Sequence, residues 1–223
     1  MATKSRPLDD FSFSYKPNGP GQFAASEVWD KTRILFLIGP AGTGKTSAAL
    51  GLALGEILRR ERGKLTLARP TVSCDEKLGF FPGVLKEKLG AWMGPFYDVF
   101  SSLSVGEWVS LEKKLEDRLD VLPVGMLRGR TIRNGVMIVD EAQNLSEAQV
   151  ECALTRIGKG GRIVFCGDPR QSDLYSQRSS PLLAAKKCLA GLDGIATVMF
   201  DGKADQQRDP LVTEILSRLP ARK

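Results

Sequence analysis

The sequence predicts an α/β chain, a parallel sheet with helices on both faces, and three observations predict it. Short apolar runs that suit buried parallel strands recur along the chain, at 33–38, 64–68, 136–139, 162–166 and 196–200. Helical stretches with recognisable start signals alternate with them. Three of the runs end on turns rich in glycine or acidic residues, where an open α/β sheet places its ligands. Alternation of this kind winds helices onto both sides of a parallel sheet. A length of 223 residues suits one core, given roughly 100 to 200 residues per domain.

The elements follow in order. Residues 1–32 hold Pro7, Pro17, Pro20 and several glycines, which predicts an extended lead-in rather than packed structure. The first strand, 33–38, runs into Gly39-Pro40-Ala41-Gly42-Thr43-Gly44-Lys45-Thr46, and Ser47 continues a helix expected to fade near Arg59–Gly63. A second strand at 64–68 leads to Arg69-Pro70. The stretch from Pro70 to Asn134 is too long for a simple crossover and is expected to hold structure of its own. Within it Ser104-Val105-Gly106-Glu107 is a capping box for a helix carrying Trp108, Leu111, Leu115 and Leu119 on one face. The third strand is Val136–Val139, followed by a helix that the capping box Ser146-Glu147-Ala148-Gln149 opens. The fourth strand, 162–166, ends at Gly167-Asp168-Pro169-Arg170-Gln171. A fifth strand at 196–200 precedes a last helix begun by Asp209-Pro210, a cap with proline at its first position. The expected architecture is a five-stranded core with an insertion between its second and third strands.

Three strand ends carry the chemistry. After the first, the glycines allow a turn so tight that successive N–H groups converge, and the following helix adds its positive dipole end, a cradle for a β-phosphate. Gly39, Pro40, Ala41, Gly42, Thr43, Gly44, Lys45, Thr46 and Ser47 form this segment. Lys45 has the reach to β- and γ-oxygens, and Thr46 offers a hydroxyl to Mg²⁺. The third strand delivers Asp140 and Glu141: Asp140 suits a Mg²⁺ ligand, and Glu141, one residue on, is expected to orient and deprotonate a water in line with the γ-phosphate. At the end of the fourth strand, Gln171 is expected to sense the γ-phosphate or the attacking water. An ordinary Asp-Pro turn capped by Asp168 is the alternative there.

Composition removes other chemistries. The chain contains no histidine, which excludes histidine general bases, histidine-containing zinc sites and Ser-His-Asp triads. The four cysteines, Cys74, Cys152, Cys166 and Cys188, have no C-x-x-C spacing and read as buried small apolar residues or idle thiols in a reducing compartment rather than as a metal site. The N-terminus lacks the apolar stretch of a secretory signal, and no segment approaches the roughly 18 apolar residues of a membrane span, so a cytoplasmic location is expected. The formal charge is +6, from 32 Lys and Arg against 26 Asp and Glu. That bias permits a nucleic-acid partner without requiring one.

Gly39 to Thr46, Asp140-Glu141-Ala142-Gln143-Asn144 and Gly167-Asp168-x-x-Gln171 are similar to motifs of superfamily 1 helicases. The remaining spelling narrows the resemblance to the PhoH-like P-loop ATPases: Arg69-Pro70, Leu78-Gly79-Phe80-Phe81-Pro82-Gly83, Lys86-Glu87-Lys88, Pro95-Phe96-Tyr97-Asp98, Arg128-Gly129-Arg130-Thr131 and Arg208-Asp209-Pro210-Leu211-Val212. These segments keep the family's order from about residue 15 onward. The resemblance implies a single RecA-like core, ATP as substrate, Mg²⁺ as cofactor and a ring oligomer, a hexamer. It also implies an adenine-reading role for Gln22, which is otherwise a solvent-exposed linker glutamine. A trans-acting arginine on a neighbour's γ-phosphate is implied, with Arg130 and Arg208 as candidates, although the cluster from Arg128 to Arg133 suits a phosphate backbone or a plain surface as well. Asp209 stands where relatives usually carry histidine, which bears on Arg208.

A translocating helicase needs a second RecA-like core, about 150 further residues, so the expectation is a lone core completed by a neighbour. The reading is ATP hydrolysis linked to single-stranded nucleic acid, RNA more than DNA. The alternative is a nucleotide-controlled switch or assembly module with slow hydrolysis and no nucleic-acid partner. A small-molecule kinase is the weaker third, because paired acids serve water attack better than transfer to an acceptor.

Overall fold

The computed structural model describes residues 15–59, 63–70, 94–103, 115, 117–172, 179–207, 209, 211, 214–215 and 218. Six strands form one sheet: β1 (Ile34–Ile38), β2 (Leu65–Arg69), β3 (Leu119–Pro123), β4 (Val136–Val139), β5 (Arg162–Gly167) and β6 (Ile195–Met199). Their order is β3-β2-β4-β5-β1-β6, and all five neighbouring pairs are parallel. Among the described residues five α-helices have defined bounds: α1 (Pro20–Trp29), α2 (Lys45–Arg59), α3 (Gly94–Leu103), α4 (Glu147–Leu154) and α5 (Pro181–Cys188).

Strand alternation divides the core into two layers. Leu35 and Leu37 of β1 face Ala25 and Trp29 of α1, Ala49, Leu50 and Ala53 of α2, and Phe96 and Phe100 of α3. Ile34, Phe36 and Ile38 face the opposite layer, with Val150 and Ala153 of α4 and Leu182 of α5. Phe36 stacks on Phe165 with ring centroids 5.2 Å apart. Every residue of β1 and β4 is buried, as a strand covered on both faces requires. Each fully buried Leu, Ile or Phe contributes about 1.5–3 kcal/mol, so the central strands are the rigid part on which the loops are mounted.

The structure corrects two expectations. Residues 20–29 are not an extended lead-in but the helix α1, opened by Pro20 and packed through Gln22, Ala25 and Trp29. Among the described residues the sheet has six strands, not five. Leu115 is helical and buried, but the chain turns at Asp117-Arg118 and Leu119 opens β3 instead of closing a helix face. This strand lies at the sheet edge, where its Pro123 withholds no needed ladder bond and its first three residues stay partly exposed. The capping box at 104–107 and Trp108 and Leu111 lie outside the described residues. The second capping box forms: Ser146 Oγ accepts from Gln149 N, and the Gln149 side chain accepts from Ser146 N. Leu211 N donates to Asp209 Oδ1, a cap where the last helix was expected. Among the described residues no helix is long and apolar enough to cross a membrane.

Candidate functional site

The sheet order decides which loops meet. β5 lies between β1 and β4, so the glycine-rich loop after β1 and the acids after β4 approach each other across the end of β5. That end is built small. A Cβ on Gly167 would meet Gln143 and Leu182, and Gly39 N donates to Gly167 O at 3.1 Å.

The loop itself is held by its own side chains. Gly42 and Gly44 both have φ of 80°, a left-handed conformation that costs other L-residues about 1–2 kcal/mol. A Cβ at Gly44 would also strike the amides of Gln22 and Gln207. Thr43 Oγ1 and Lys45 Nζ both donate to Pro40 O, at 2.8 and 2.6 Å. Burial lowers the proton affinity of the Lys45 amine, against the opposing pull of Cys166, Asp168, Asp140 and Glu141. Its ammonium therefore gains from any phosphate that takes the place of the carbonyl.

Asp140 leaves β4 with its N–H bonded to Ala68 O. Its Oδ1 accepts from Thr46 Oγ1 at 3.0 Å, joining the start of α2 to the end of β4. Burial raises its pKa, opposed first by Arg69. The two side chains offer two hard oxygen donors around a carboxylate that lacks solvation, which fits Mg²⁺. Among the described residues no group of three or more His, Cys, Asp or Glu could hold a metal. A two-ligand site suits an ion that keeps waters and arrives with substrate phosphates.

Glu141 has φ of 52°, strained for a residue with a side chain and frequent at functional sites. Its Oε1 lies 3.3 Å from Arg69 Nη2, and its Oε2 accepts from Gln143 Nε2 at 2.6 Å. Gln143 is buried, and its Oε1 accepts from Asp168 N at 3.1 Å. One amide thus ties the second acid to the loop after β5. Asp168 caps that loop, accepting from Arg170 N, and Gln171 ends a single 3-10 turn over Pro169–Gln171 with its side chain exposed. The turn reading and the placement of Gln171 at the site coexist.

Lys45, Thr46, Asp140, Glu141, Gln143 and Gln171 line a cleft of about 670 Å³ that also takes in Ala41, Ser47, Asp98 of α3 and Gln207. Gln22 is buried against the loop rather than exposed in a linker: its Nε2 donates to Gly44 O at 3.1 Å, and its Oε1 accepts from Tyr15 Oη and Asn18 N. Burial pushes the Tyr15 phenol above its ordinary pKa. Arg130 is exposed, pairs with Asp120 at 3.2 Å and does not line the cleft of its own chain. Arg208 lies outside the described residues.

Sequence reasoning missed four contributors. Gln143 stood inside a quoted motif, and its role needed the separation of β4 and β5 to be known. Asp98 comes from the insertion. Gln207 N donates to Gly42 O at 2.9 Å and its Nε2 to Asn18 O at 3.0 Å. Asp205 accepts from Gly21 N and Asp201 N, both at 2.7 Å, and so caps α1 from the far end of the chain. Nothing in the local spelling marks these last two.

Known proteins share both the spelling and the fold. The family model described as PhoH-like protein matches residues 14–219. A PhoH-like protein of Synechocystis is 40% identical over 190 residues, 83% of this chain and 56% of the relative. One of Bacillus subtilis is 36% identical over 207 residues, 92% of this chain and 63% of the relative. The chain therefore spans only part of the length of these curated relatives. Among solved structures, the large terminase of a thermophilic bacteriophage superposes with a TM-score of 0.55 at 12% identity, over 91% of this chain and 50% of the terminase. This likeness concerns the fold alone, a parallel α/β sheet with helices packed on it. On the family match and these relatives, the chain belongs to the PhoH-like protein family.

Proposed function

We propose that this chain binds ATP in the cleft, hydrolyses it with Mg²⁺, and couples the cycle to single-stranded nucleic acid, RNA more than DNA, within a ring oligomer. The observation that carries the hydrolytic reading is the meeting of Thr46 and Asp140 at 3.0 Å beside Lys45, with Glu141 on the same cleft. Mg²⁺ held by Thr46 and Asp140 would neutralise charge on the β- and γ-phosphates. The amides of Gly42 to Thr46 and the α2 N-terminus bind phosphate. Lys45 exchanges its bond to Pro40 O for a phosphate oxygen. Glu141 accepts the proton of a water that attacks the γ-phosphate, and Gln171 donates its amide to that phosphate or orients the water. Gln22, next to Gly44, is the candidate for recognising adenine, and Arg130 or Arg208 for acting on a neighbour's nucleotide. The nucleic-acid and ring components rest on family membership and the basic residues at 128–133.

Steady-state ATP hydrolysis of the protein, with and without single-stranded RNA or DNA and beside Glu141→Gln, tests the reading. Turnover that rises with one polymer and collapses in the variant supports it. Glu141-dependent turnover indifferent to both polymers favours the nucleotide-controlled switch, and no Glu141-dependent turnover removes the enzyme assignment.

A further inference from the structure

The cleft opens at the C-terminal ends of the strands. Their N-terminal ends form the opposite edge of the sheet, and this edge carries a row of cations. β2, β4, β5 and β1 lie side by side. Lys64 immediately precedes β2, and its carbonyl accepts from Val136 N at the start of β4, at 2.9 Å. Arg133 and Asn134 lead into β4, and Asn134 N donates to Lys159 O, just ahead of β5, at 3.0 Å. Arg33 precedes β1, and its carbonyl accepts from Ile163 N of β5 at 2.8 Å. Four segments far apart in sequence thus bring Lys64, Arg133, Lys159 and Arg33 together, and all four are exposed.

The two arginines meet at one residue. Arg33 Nη2 donates to Gly158 O at 2.7 Å, and a Cβ on Gly158 would meet Cγ of Arg133. Lys159 follows directly. Like charges gathered in this way repel, and other arginines of the chain are balanced: Arg162 pairs with Glu56, Arg130 with Asp120, and Arg69 with Asp140 and Glu141. Among the described residues none of the four edge cations forms an ion pair.

Uncompensated cations in a line suit a linear polyanion. Neighbouring strands are about 4.8 Å apart, so the row from β2 to β1 spans about 14 Å. Guanidinium forks match phosphate oxygens, and lysine is depleted from protein interfaces, which favours a phosphate backbone over an acidic protein. None of the four side chains is aromatic, so the row grips backbone without stacking on bases. β1 is five residues long, which at about 3.3 Å per residue sets the row about 17 Å from the cleft.

We propose that Lys64, Arg133, Lys159 and Arg33 form a binding edge for the phosphate backbone of single-stranded nucleic acid, at the end of the sheet opposite the nucleotide cleft. The proposal rests on the nucleic-acid part of the reading above, not on hydrolysis, and adds the surface that holds the strand. At that distance the strand does not compete with nucleotide.

The test is fluorescence anisotropy of labelled oligouridylate and oligothymidylate over a range of KCl concentrations. It compares wild type, the triple variant Lys64→Gln, Arg133→Gln and Lys159→Gln, and a control variant, Lys16→Gln with Lys203→Gln, which removes exposed charge outside the row. Glutamine keeps the Cγ that Arg133 lays on Gly158. Each lost phosphate contact removes about 0.7 from the slope of log affinity against log salt. The triple variant should therefore lose about 2 from that slope and, at about 0.1 M salt, bind about tenfold or more weaker, with both polymers affected alike. The control should bind as wild type does, and affinity for a fluorescent ADP analogue should stay within about twofold in every protein. Should the triple variant fail to fold, Arg133→Gln and Lys159→Gln alone should each take about 0.7 from the slope. A triple variant that binds as wild type does, or is weakened no more per charge than the control, overturns the edge and leaves the nucleic acid to another surface. So does a triple variant that loses stability in urea but keeps its slope, since cations at this edge then serve only the negative C-terminal ends of helices. Displacement by polyglutamate as effective as by unlabelled oligonucleotide assigns the row to an acidic protein and overturns it too. Wild type that binds neither polymer overturns the nucleic-acid reading and the edge with it.

Discussion

Asp205→Ala should destabilise the chain by about 2–4 kcal/mol and weaken nucleotide binding, although Asp205 lies outside the glycine-rich loop. Asp205 is 3% exposed. Its two oxygens accept from Gly21 N and Asp201 N, both at 2.7 Å, and a hydrogen bond to a charged group is worth about 1.5–3 kcal/mol. The N-cap of α1 is Gly19, which has no side chain to replace the lost acceptor. Water entering the vacated space recovers part of the loss, which sets the net figure below the sum of two bonds. Because α1 carries Gln22, whose amide holds Gly44 O, loosening the helix loosens the loop. Urea denaturation gives the stability change, and titration with a fluorescent ADP analogue gives the affinity, expected to fall several-fold. Asp205→Asn keeps one acceptor and should lose about half as much. A stability loss under about 1 kcal/mol, or a full loss with unchanged nucleotide affinity, would refute the link from cap to helix to loop.

Three other outcomes are expected. Gln143→Leu removes a charged bond to Glu141 and strands the buried Asp168 N–H, costing about 2–4 kcal/mol in urea denaturation and lowering kcat more than it raises KM. Gly44→Ala places a methyl against Gln22 and Gln207 at φ of 80°, so binding of the ADP analogue should be lost before the fold is. Burial raises the Asp140 pKa, so the fold binds more protons there than the unfolded chain does. The contribution of Asp140 to the stability of the nucleotide-free protein is therefore fully present below the unfolded value and lost as pH rises through the raised one. Asp140→Asn, which keeps an oxygen for Thr46, should be more stable than wild type at pH 7, and the gap should close in acid; an equal gap at both pH values would count against this account.

The strands and the three loops were legible because each obeys a local rule. A buried parallel strand must be apolar throughout, as β1 and β4 are, and a phosphate-holding turn must be rich in glycine. The helix α1 was not legible. Its proline and glycines read as an extended segment, and its cap comes from Asp205 rather than from a neighbour in sequence. β3 was not legible either, because Leu119 continued the apolar spacing of Leu111 and Leu115, and only its pairing with β2 makes it a strand.

The sequence by itself determined the chemistry on offer: a glycine-rich loop with Lys45 and Thr46, two adjacent acids, a glutamine after the next strand, and no histidine. The tertiary structure decided who touches whom. Inserting β5 between β1 and β4 brings Thr46 to Asp140, and setting β2 beside β4 brings Arg69 onto both acids. The last strand's exit seats Asp205 and Gln207 against α1 and the loop. Strand order carries no local signal, since every buried strand is spelled alike, and contacts made across that order appear only once the sheet is assembled.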